Sequence, residues 1–323
     1  MNRYARQIIL PEVGENGQRR LSTAHALVIG AGGLGAPVIQ YLAGAGVGRM
    51  TIVDDDLVDE TNLHRQTLFR MEDLDQEKAE VAAMFARRLN PDVSVYPIAQ
   101  GLGPDNAEMM VRGADVVLDC ADSFAVSYTL SDVCLALNKP LISASALQMS
   151  GYVGGFCGGA PSLRAVFPDM PDSVQNCSTA GILGPVVGAI GAMQAQMAIN
   201  VLLGLDRSPL GQFVTYDAQI FAFGGFRFDG AEEPEAIYPF ISPEAITAGD
   251  FVADLRPETE APTSAAAHAQ RLNAADFTAT GPRPANGQRA VMCCRSGLRA
   301  WRAADNLSKH WDGEITLVAF GDV

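Results

Sequence analysis

A short apolar run, Ala26-Leu27-Val28-Ile29, ends at Gly30-Ala31-Gly32-Gly33-Leu34-Gly35. This Gly-x-Gly-x-x-Gly pattern follows a strand signal and opens a helical stretch over residues 35–45, the context that gives it meaning. The glycines permit a tight turn and let backbone approach a phosphate. The helix N-terminus offers free N–H groups and the positive end of its dipole. The pattern points to a doubly wound sheet with a nucleotide at its carboxyl edge. It leaves the ligand open, because NAD, FAD and ATP all use such a loop. Strand signals at 50–53, 93–98, 115–119 and 141–144 alternate with helical stretches at 76–89 and 123–137, the first of them stopped by Asn90-Pro91. The expected fold class is α/β, with a Rossmann-like, mainly parallel sheet.

The texture changes after Ser150. Strand-like segments at 151–157 and 163–167 precede a loop at 168–180, a long apolar helix at 182–205 and a hairpin at 212–216 and 220–228. These predict an antiparallel extension of the sheet. The apolar helix could imitate a membrane span, but Gln194, Gln196 and Asn200 interrupt it, and Gly184, Gly188, Gly191 and Ala195 suit close packing. A buried core helix or subunit-interface helix is expected. Residues 229–239 are acidic and contain proline, and read as a linker. Residues 240–323 have strand signals at 251–255, 289–293 and 315–320, a helical run at 300–309, and surface loops at 259–267 and 280–287. The expected division is a domain at 1–228, the linker, and a smaller α/β domain at 240–323.

A chain of 323 residues can hold two cores, and 48% hydrophobic residues make it globular. A net charge of −14 disfavours general binding to nucleic acid or an anionic membrane, while leaving room for a local basic pocket. The six cysteines contain no Cys-x-x-Cys, as expected for reduced thiols. The start has no apolar signal region, and the cytoplasm is the expected location.

Asp54 lies ~20 residues past the glycines, where a carboxylate can accept from ribose hydroxyls. Asn62, Arg65 and Gln66 follow within a dozen residues. An amide and a guanidinium there suit a triphosphate being cut better than a nicotinamide being reduced. Lys78 opens the next helix and adds a cation for phosphate. Asp122 follows the fourth strand and could hold Mg²⁺. Asp55 reads as solvated, and Asp56 as a residue shaping the loop. The competing readings are an NAD-dependent oxidoreductase, disfavoured by Arg65, Lys78 and Asp122, and a non-catalytic scaffold, disfavoured by the intact phosphate ligands.

Arg3-Tyr4-Ala5-Arg6-Gln7-Ile8-Ile9-Leu10, the glycine loop, Asn62-Leu63-His64-Arg65-Gln66, Lys78 and Asp119-Cys120-Ala121-Asp122 together resemble the ThiF/MoeB/HesA group over residues 1–228. These proteins are bacterial relatives of ubiquitin-activating enzymes. The resemblance implies ATP and Mg²⁺ as ligands, and adenylylation of the C-terminal glycine of a ubiquitin-like sulfur carrier ending in Gly-Gly. By position it gives the glycines Gly30, Gly32, Gly33 and Gly35 to the nucleotide and Asp54 to the ribose. Arg65 and Lys78 would hold phosphates, with Asn62 and Gln66 in support, and Asp122 the metal. It also implies a homodimer, with Arg6 reaching into the neighbouring site.

Many members of the group carry two Cys-x-x-Cys pairs for a structural zinc. Here Ser162-Leu163-Arg164-Ala165 takes the place of the first pair, and no second pair occurs near residues 226–233, so no zinc is expected. Cys177, in Asn176-Cys177-Ser178-Thr179-Ala180-Gly181, resembles the crossover-loop cysteine of the ThiF branch, and Gly184-Pro185-Val186-Val187-Gly188 is similar to that branch as well. This favours a ThiS-like carrier and thiamine thiazole synthesis, with a MoaD-like carrier and molybdopterin synthesis as the alternative. Cys120, Cys134 and Cys157 read as packing residues. Cys294-Arg295-Ser296-Gly297-Leu298-Arg299, between a strand and a helix, resembles the rhodanese loop whose cysteine carries a persulfide, and Asp254-Leu255-Arg256 resembles the early Asp-x-Arg of that fold. Backbone N–H groups, a helix N-terminus and two arginines are expected to favour a sulfur anion on Cys294. Either an active sulfurtransferase or a relic docking domain fits this segment, and a cysteine desulfurase or another donor would supply sulfur. Cys293 is expected to be buried on its strand.

Overall fold

The computed structural model describes residues 2–170 and 180–321. Near its start, helices α1 (Ala5–Ile8) and α2 (Gly14–Thr23) precede β1 (His25–Ile29). Then come α3 (Gly35–Ala45), β2 (Arg49–Val53), α4 (Lys78–Leu89), β3 (Ser94–Ile98), α5 (Ala107–Arg112), β4 (Val116–Asp119), α6 (Phe124–Ala136) and β5 (Pro140–Leu147). The order across the sheet is β3-β2-β1-β4-β5, all parallel. Helices cover both faces, so β1 and β4 are buried almost throughout, which is why they are apolar runs rather than alternating ones. β6 (Ser150–Cys157), β7 (Gln212–Asp217) and β8 (Ala222–Arg227) add to β5 in antiparallel sense, giving the expected extension.

Residues 163–167 were expected to be strand-like, but they form a short helix, α7 (Leu163–Val166). The reason is local. Ser162 Oγ accepts from Arg164 N at 3.1 Å and Ala165 N at 3.3 Å, and such an N-cap outweighs the β-branched and apolar content of a four-residue run. Helices α1, α2 and α5 left no clear mark in the sequence pattern, being short or mostly polar.

The apolar helix α8 (Gly184–Leu203) packs on α3, β5 and β6. Its Gly191 permits contact with α3: a methyl there would meet Leu34 O and Pro37 at 2.6 Å. Gln194 is fully buried and satisfied, donating to Asp119 O at 2.7 Å and Ile142 O at 2.9 Å. This is the core role expected of the helix.

β9 (Phe251–Asp254), β10 (Gln270–Arg271), β11 (Ala290–Cys294) and β12 (Ile315–Ala319) form a second, all-parallel sheet in the order β10-β9-β11-β12, with helix α9 (Leu298–Ser308) following β11. Residues 229–239, read as a linker, are tied down at both ends. Glu233 accepts from Ser162 N at 2.7 Å and Ser162 Oγ at 2.5 Å, and Leu317 N donates to Pro239 O at 2.9 Å.

Candidate functional site

β1 and β4 are neighbours whose onward connections run to opposite sides of the sheet. Such a switch point opens a crevice beyond the carboxyl ends of the strands. The glycine loop occupies it. Gly30 has φ +91°, and a Cβ there would lie 2.8 Å from Cys120 O, so the loop is pressed against the end of β4. A Cβ on Gly35 would lie 2.0 Å from Gly30 O, because the first turn of α3 folds back on the loop. Gly32 differs: its nearest neighbour would be Gln66 Nε2 at 3.5 Å, leaving that part of the loop open to a ligand.

Asp54, after β2, accepts from Ala31 N at 2.7 Å and from Asp56 N at 2.9 Å. Burial raises its carboxyl above the usual range, while the Ala31 N–H and the Lys78 charge pull it down. Lys78, nearly buried at the start of α4, donates to Asp56 at 2.7 Å. Asp56, expected to shape the loop around metal or ribose, instead ties the segment after β2 to the start of α4 through this pair. Asp55 is exposed.

Asn62 ends a 3-10 turn (Glu60–Asn62) capped by Asp59. Its Oδ1 accepts from Arg65 Nη2 at 2.6 Å, and Arg65 Nη1 lies 2.8 Å from His64 Nε2. Gln66 is buried, and its Oε1 has no hydrogen-bond partner among the described residues. It is Gln66 Nε2, a donor, that faces the open part of the glycine loop, and a donor is what a phosphate oxygen needs. The N-terminus of α8 closes this wall, with His64 O only 2.5 Å from where a Cβ on Gly184 would be and Val187 3.1 Å from one on Gly33. A core or subunit-interface helix was expected of α8, and this second role was not; its signal was the glycine-proline start.

Asp119 ends β4 fully buried, accepting from Ser143 Oγ at 2.8 Å and Ala121 N at 3.3 Å. Burial pushes its carboxyl up to about 6, against the pull of hydrogen bonds from Ser127 and Ser143. Three residues on, Asp122 is exposed at the same edge. Among the described residues no three His, Cys, Asp or Glu side chains are grouped to hold a metal ion. Magnesium needs no such cage, since it takes one or two carboxylates and completes its shell with substrate phosphates and water, and Asp122 suits that use.

Asp54, Asn62, Arg65, Gln66, Lys78 and the glycines are thus gathered around one crevice, with Asp122 on its β4 side. Arg6 is elsewhere, exposed on α1, whose Tyr4 packs on Gly46 at the far end of α3 from the glycine loop. Cys177 lies outside the described residues. Cys120, Cys134 and Cys157 are buried, and burial drives all three thiols up, as fits packing residues.

In the second sheet, Cys294 ends β11 with 0% exposure. Its Sγ accepts from Gly297 N at 3.1 Å and Ala300 N at 3.3 Å, so the N–H cradle exists. The expected net preference for the anion does not: burial raises the thiol, outweighing the N–H groups and Arg299. Arg299 is also shared, its Nη2 donating to Glu260 at 2.5 Å and its Nη1 to Leu255 O at 3.0 Å. Asp254 is fully buried, paired twice with Arg256 at 2.9 Å and held by Ala265 N at 2.8 Å. Cys293 is buried on the strand, on the opposite face from Cys294.

The sequence profile of the ThiF family matches residues 4–235, nearly three quarters of the chain. The chain belongs to the ThiF family. The SAMP-activating enzyme E1 of Haloferax volcanii is 42% identical over 225 residues, covering 69% of this chain and 83% of that protein. The adenylyltransferase and sulfurtransferase MOCS3 of Drosophila sechellia is 43% identical over 228 residues, or 70% of this chain and 50% of that protein. UBA4 of Yarrowia lipolytica, of the same description, is 47% identical over 206 residues, 63% of this chain and 52% of its own. The chain therefore spans about half the length of these last two. Among solved structures, Escherichia coli MccB with ATP superposes at a TM-score of 0.63 with 22% identity, over 71% of this chain and 72% of that one, which shows the Rossmann-like fold.

Proposed function

We propose that this ThiF-family chain uses ATP to adenylylate the C-terminal carboxylate of a ubiquitin-like sulfur carrier. The observation that carries the reading is the Asn62–Arg65–Gln66 cluster set against the open Gly32, with the Gln66 Nε2 donor facing that space. The relatives' names, adenylyltransferase and SAMP-activating enzyme, support it.

The glycine loop and the α3 N-terminus would hold the phosphates, and Asp54 the ribose. The carrier carboxylate is already ionised, so it can attack the α-phosphorus of ATP without a general base, and pyrophosphate leaves. Arg65 and Lys78 would stabilise the charge that spreads over the transferring group. Magnesium held through Asp122 would supply charge neutralisation on the phosphates. Asn62 orients the Arg65 guanidinium by its 2.6 Å bond, and Asp56 orients Lys78.

The second sheet would serve as a rhodanese-like sulfur-carrying part with Cys294 as the acceptor, and residues 240–323 as its extent. Cys177 with its flanks favours a ThiS-like carrier. Arg6, exposed beside Ile9 and Leu10, would act across a homodimer. The test is ATP–pyrophosphate exchange dependent on a carrier ending in Gly-Gly. Exchange with a ThiS-like and not a MoaD-like carrier is expected, and no exchange with either, alongside nicotinamide binding, would reverse the reading.

A further inference from the structure

Arg164 stands in the segment where the sequence substitutes Ser162-Leu163-Arg164-Ala165 for a cysteine pair, and it is 2% exposed. Its guanidinium pairs with Asp132 on α6 through two bonds, at 2.6 and 2.8 Å. Nη2 also donates to Tyr238 O at 3.3 Å, in the segment that joins the two sheets. The same guanidinium lies 4.8 Å from the ring centre of Tyr128 on α6 and 5.3 Å from that of Trp301 on α9. One buried cation therefore touches the first unit, the connecting segment and the second unit at once.

The neighbours of Trp301 give this contact its consequence. Ala300, the preceding residue, donates its N–H to Cys294 Sγ at 3.3 Å. On the other side, α6 begins at Phe124, two residues after Asp122. Its Ala125 Cβ would be 3.9 Å from a Cβ on Gly297, in the Cys294 loop. Helix α6 thus carries the Asp122 loop at its start and meets the Cys294 loop there, and Arg164 clamps α9 to it one turn further on.

A buried ion pair is a poor source of net stability, since desolvation offsets the attraction. Here Nη1 is even left without a hydrogen-bond partner among the described residues. What a planar fork packed against a pair of touching rings, Tyr128 and Trp301 with centres 5.3 Å apart, does well is fix geometry. We propose that Arg164 is a positioning residue that holds helix α9, and with it the Cys294 loop, against the start of α6 beside Asp122. The meaning of Cys294 as a sulfur carrier rests on the reading above; the placement does not.

The test uses the full chain with Arg164→Ala, Arg164→Lys and Asp132→Asn. Iodoacetamide labelling of Cys294 is followed by fragment mass spectrometry, and ATP–pyrophosphate exchange is measured in parallel. With the clamp broken, labelling of Cys294 should rise roughly tenfold or more, as for local rather than global opening. Exchange should stay within about twofold, as expected when the chemistry of the first unit is undisturbed. Arg164→Lys should resemble Arg164→Ala, because an ammonium cannot make the fork. Unchanged labelling in a variant that keeps exchange overturns the proposal. So does loss of exchange together with secondary structure in both Arg164→Ala and Asp132→Asn, which would make the clamp a support of the first fold alone. Absence of exchange in the parent chain would sink the adenylylation reading, while the labelling comparison would still decide the role of Arg164.

Discussion

The glycine loop after β1 and the Cys294 loop after β11 are built alike: each joins a parallel strand to the N-terminus of a helix, where backbone N–H groups converge. They are finished differently. At the first, Arg65 is only half-buried, and Gly32 leaves open space that the Gln66 Nε2 donor faces. At the second, the N–H groups already hold the thiol, Arg299 is shared with Glu260, and Cys294 is sealed from solvent. The first loop is shaped for a ligand that arrives. The second is closed on its own sulfur, and must open before it reacts.

The largest effect that separates them concerns the second sheet. Removing Asp254 leaves Arg256 and Arg271, the latter 3.2 Å from it, around a buried hole in the charge. Asp254→Ala should cost about 3–5 kcal/mol. Urea unfolding followed by tryptophan fluorescence reports it, since Trp301 and Trp311 are the chain's two tryptophans. Burial alone would raise the Asp254 carboxyl, but the bonds from Arg256 and Ala265 win and hold it below the usual range. A depressed folded value means the stabilisation is present above the unfolded pKa of about 3.9 and is lost as pH falls through the folded value. The parent should therefore lose stability on acidification in that window, and Asp254→Ala should flatten the slope. A cost below about 1 kcal/mol would show the network to be screened like a surface pair.

Next in size is the chemistry of the first loop. Arg65→Ala should slow exchange by on the order of 10²–10³, as for loss of one transition-state donor. Cys294→Ala should leave exchange unaltered and abolish any thiosulfate-to-cyanide transfer. If Cys294→Ala stops exchange too, the two loops are not separable and the contrast between them fails.

Gly35→Ala comes third. A methyl placed 2.0 Å from Gly30 O forces the loop and α3 apart, so a loss of about 1–3 kcal/mol is expected in urea unfolding followed by far-UV circular dichroism, since both tryptophans lie in the second unit. An unchanged midpoint would mean that α3 does not brace the loop.

The difference between the loops was only partly legible in the sequence. The parallel order β3-β2-β1-β4-β5, the core role of α8 and the gathering of Asp54, Asn62, Arg65, Gln66 and Lys78 were readable, because strand–helix alternation and glycine spacing are local signals that a doubly wound sheet turns directly into position. The closure of the Cys294 loop was not. It depends on Phe240 and Ala125, which arrive from far along the chain, and on burial, which decides the sign of the thiol's shift. Arg164 was hidden for the same reason: four letters in place of a cysteine pair said what was missing, while its partners Asp132, Tyr128, Tyr238 and Trp301 share no spacing with it. The mistaken strand at 163–167 came from reading composition where a single cap, Ser162, was decisive.

The smallest expected effect tests openness itself. Gly32 is not among the residues with positive φ, and an added Cβ would meet nothing closer than Gln66 Nε2 at 3.5 Å. Gly32→Ala should therefore fold as well as the parent, or gain about 0.4–1 kcal/mol by restricting the unfolded chain. The space that makes the substitution harmless to the fold is the space a phosphate needs, so calorimetric titration with ATP should show weaker binding at unchanged stability. Unaltered affinity would place the nucleotide away from Gly32 and Gln66, and would remove the reason for calling the first loop open.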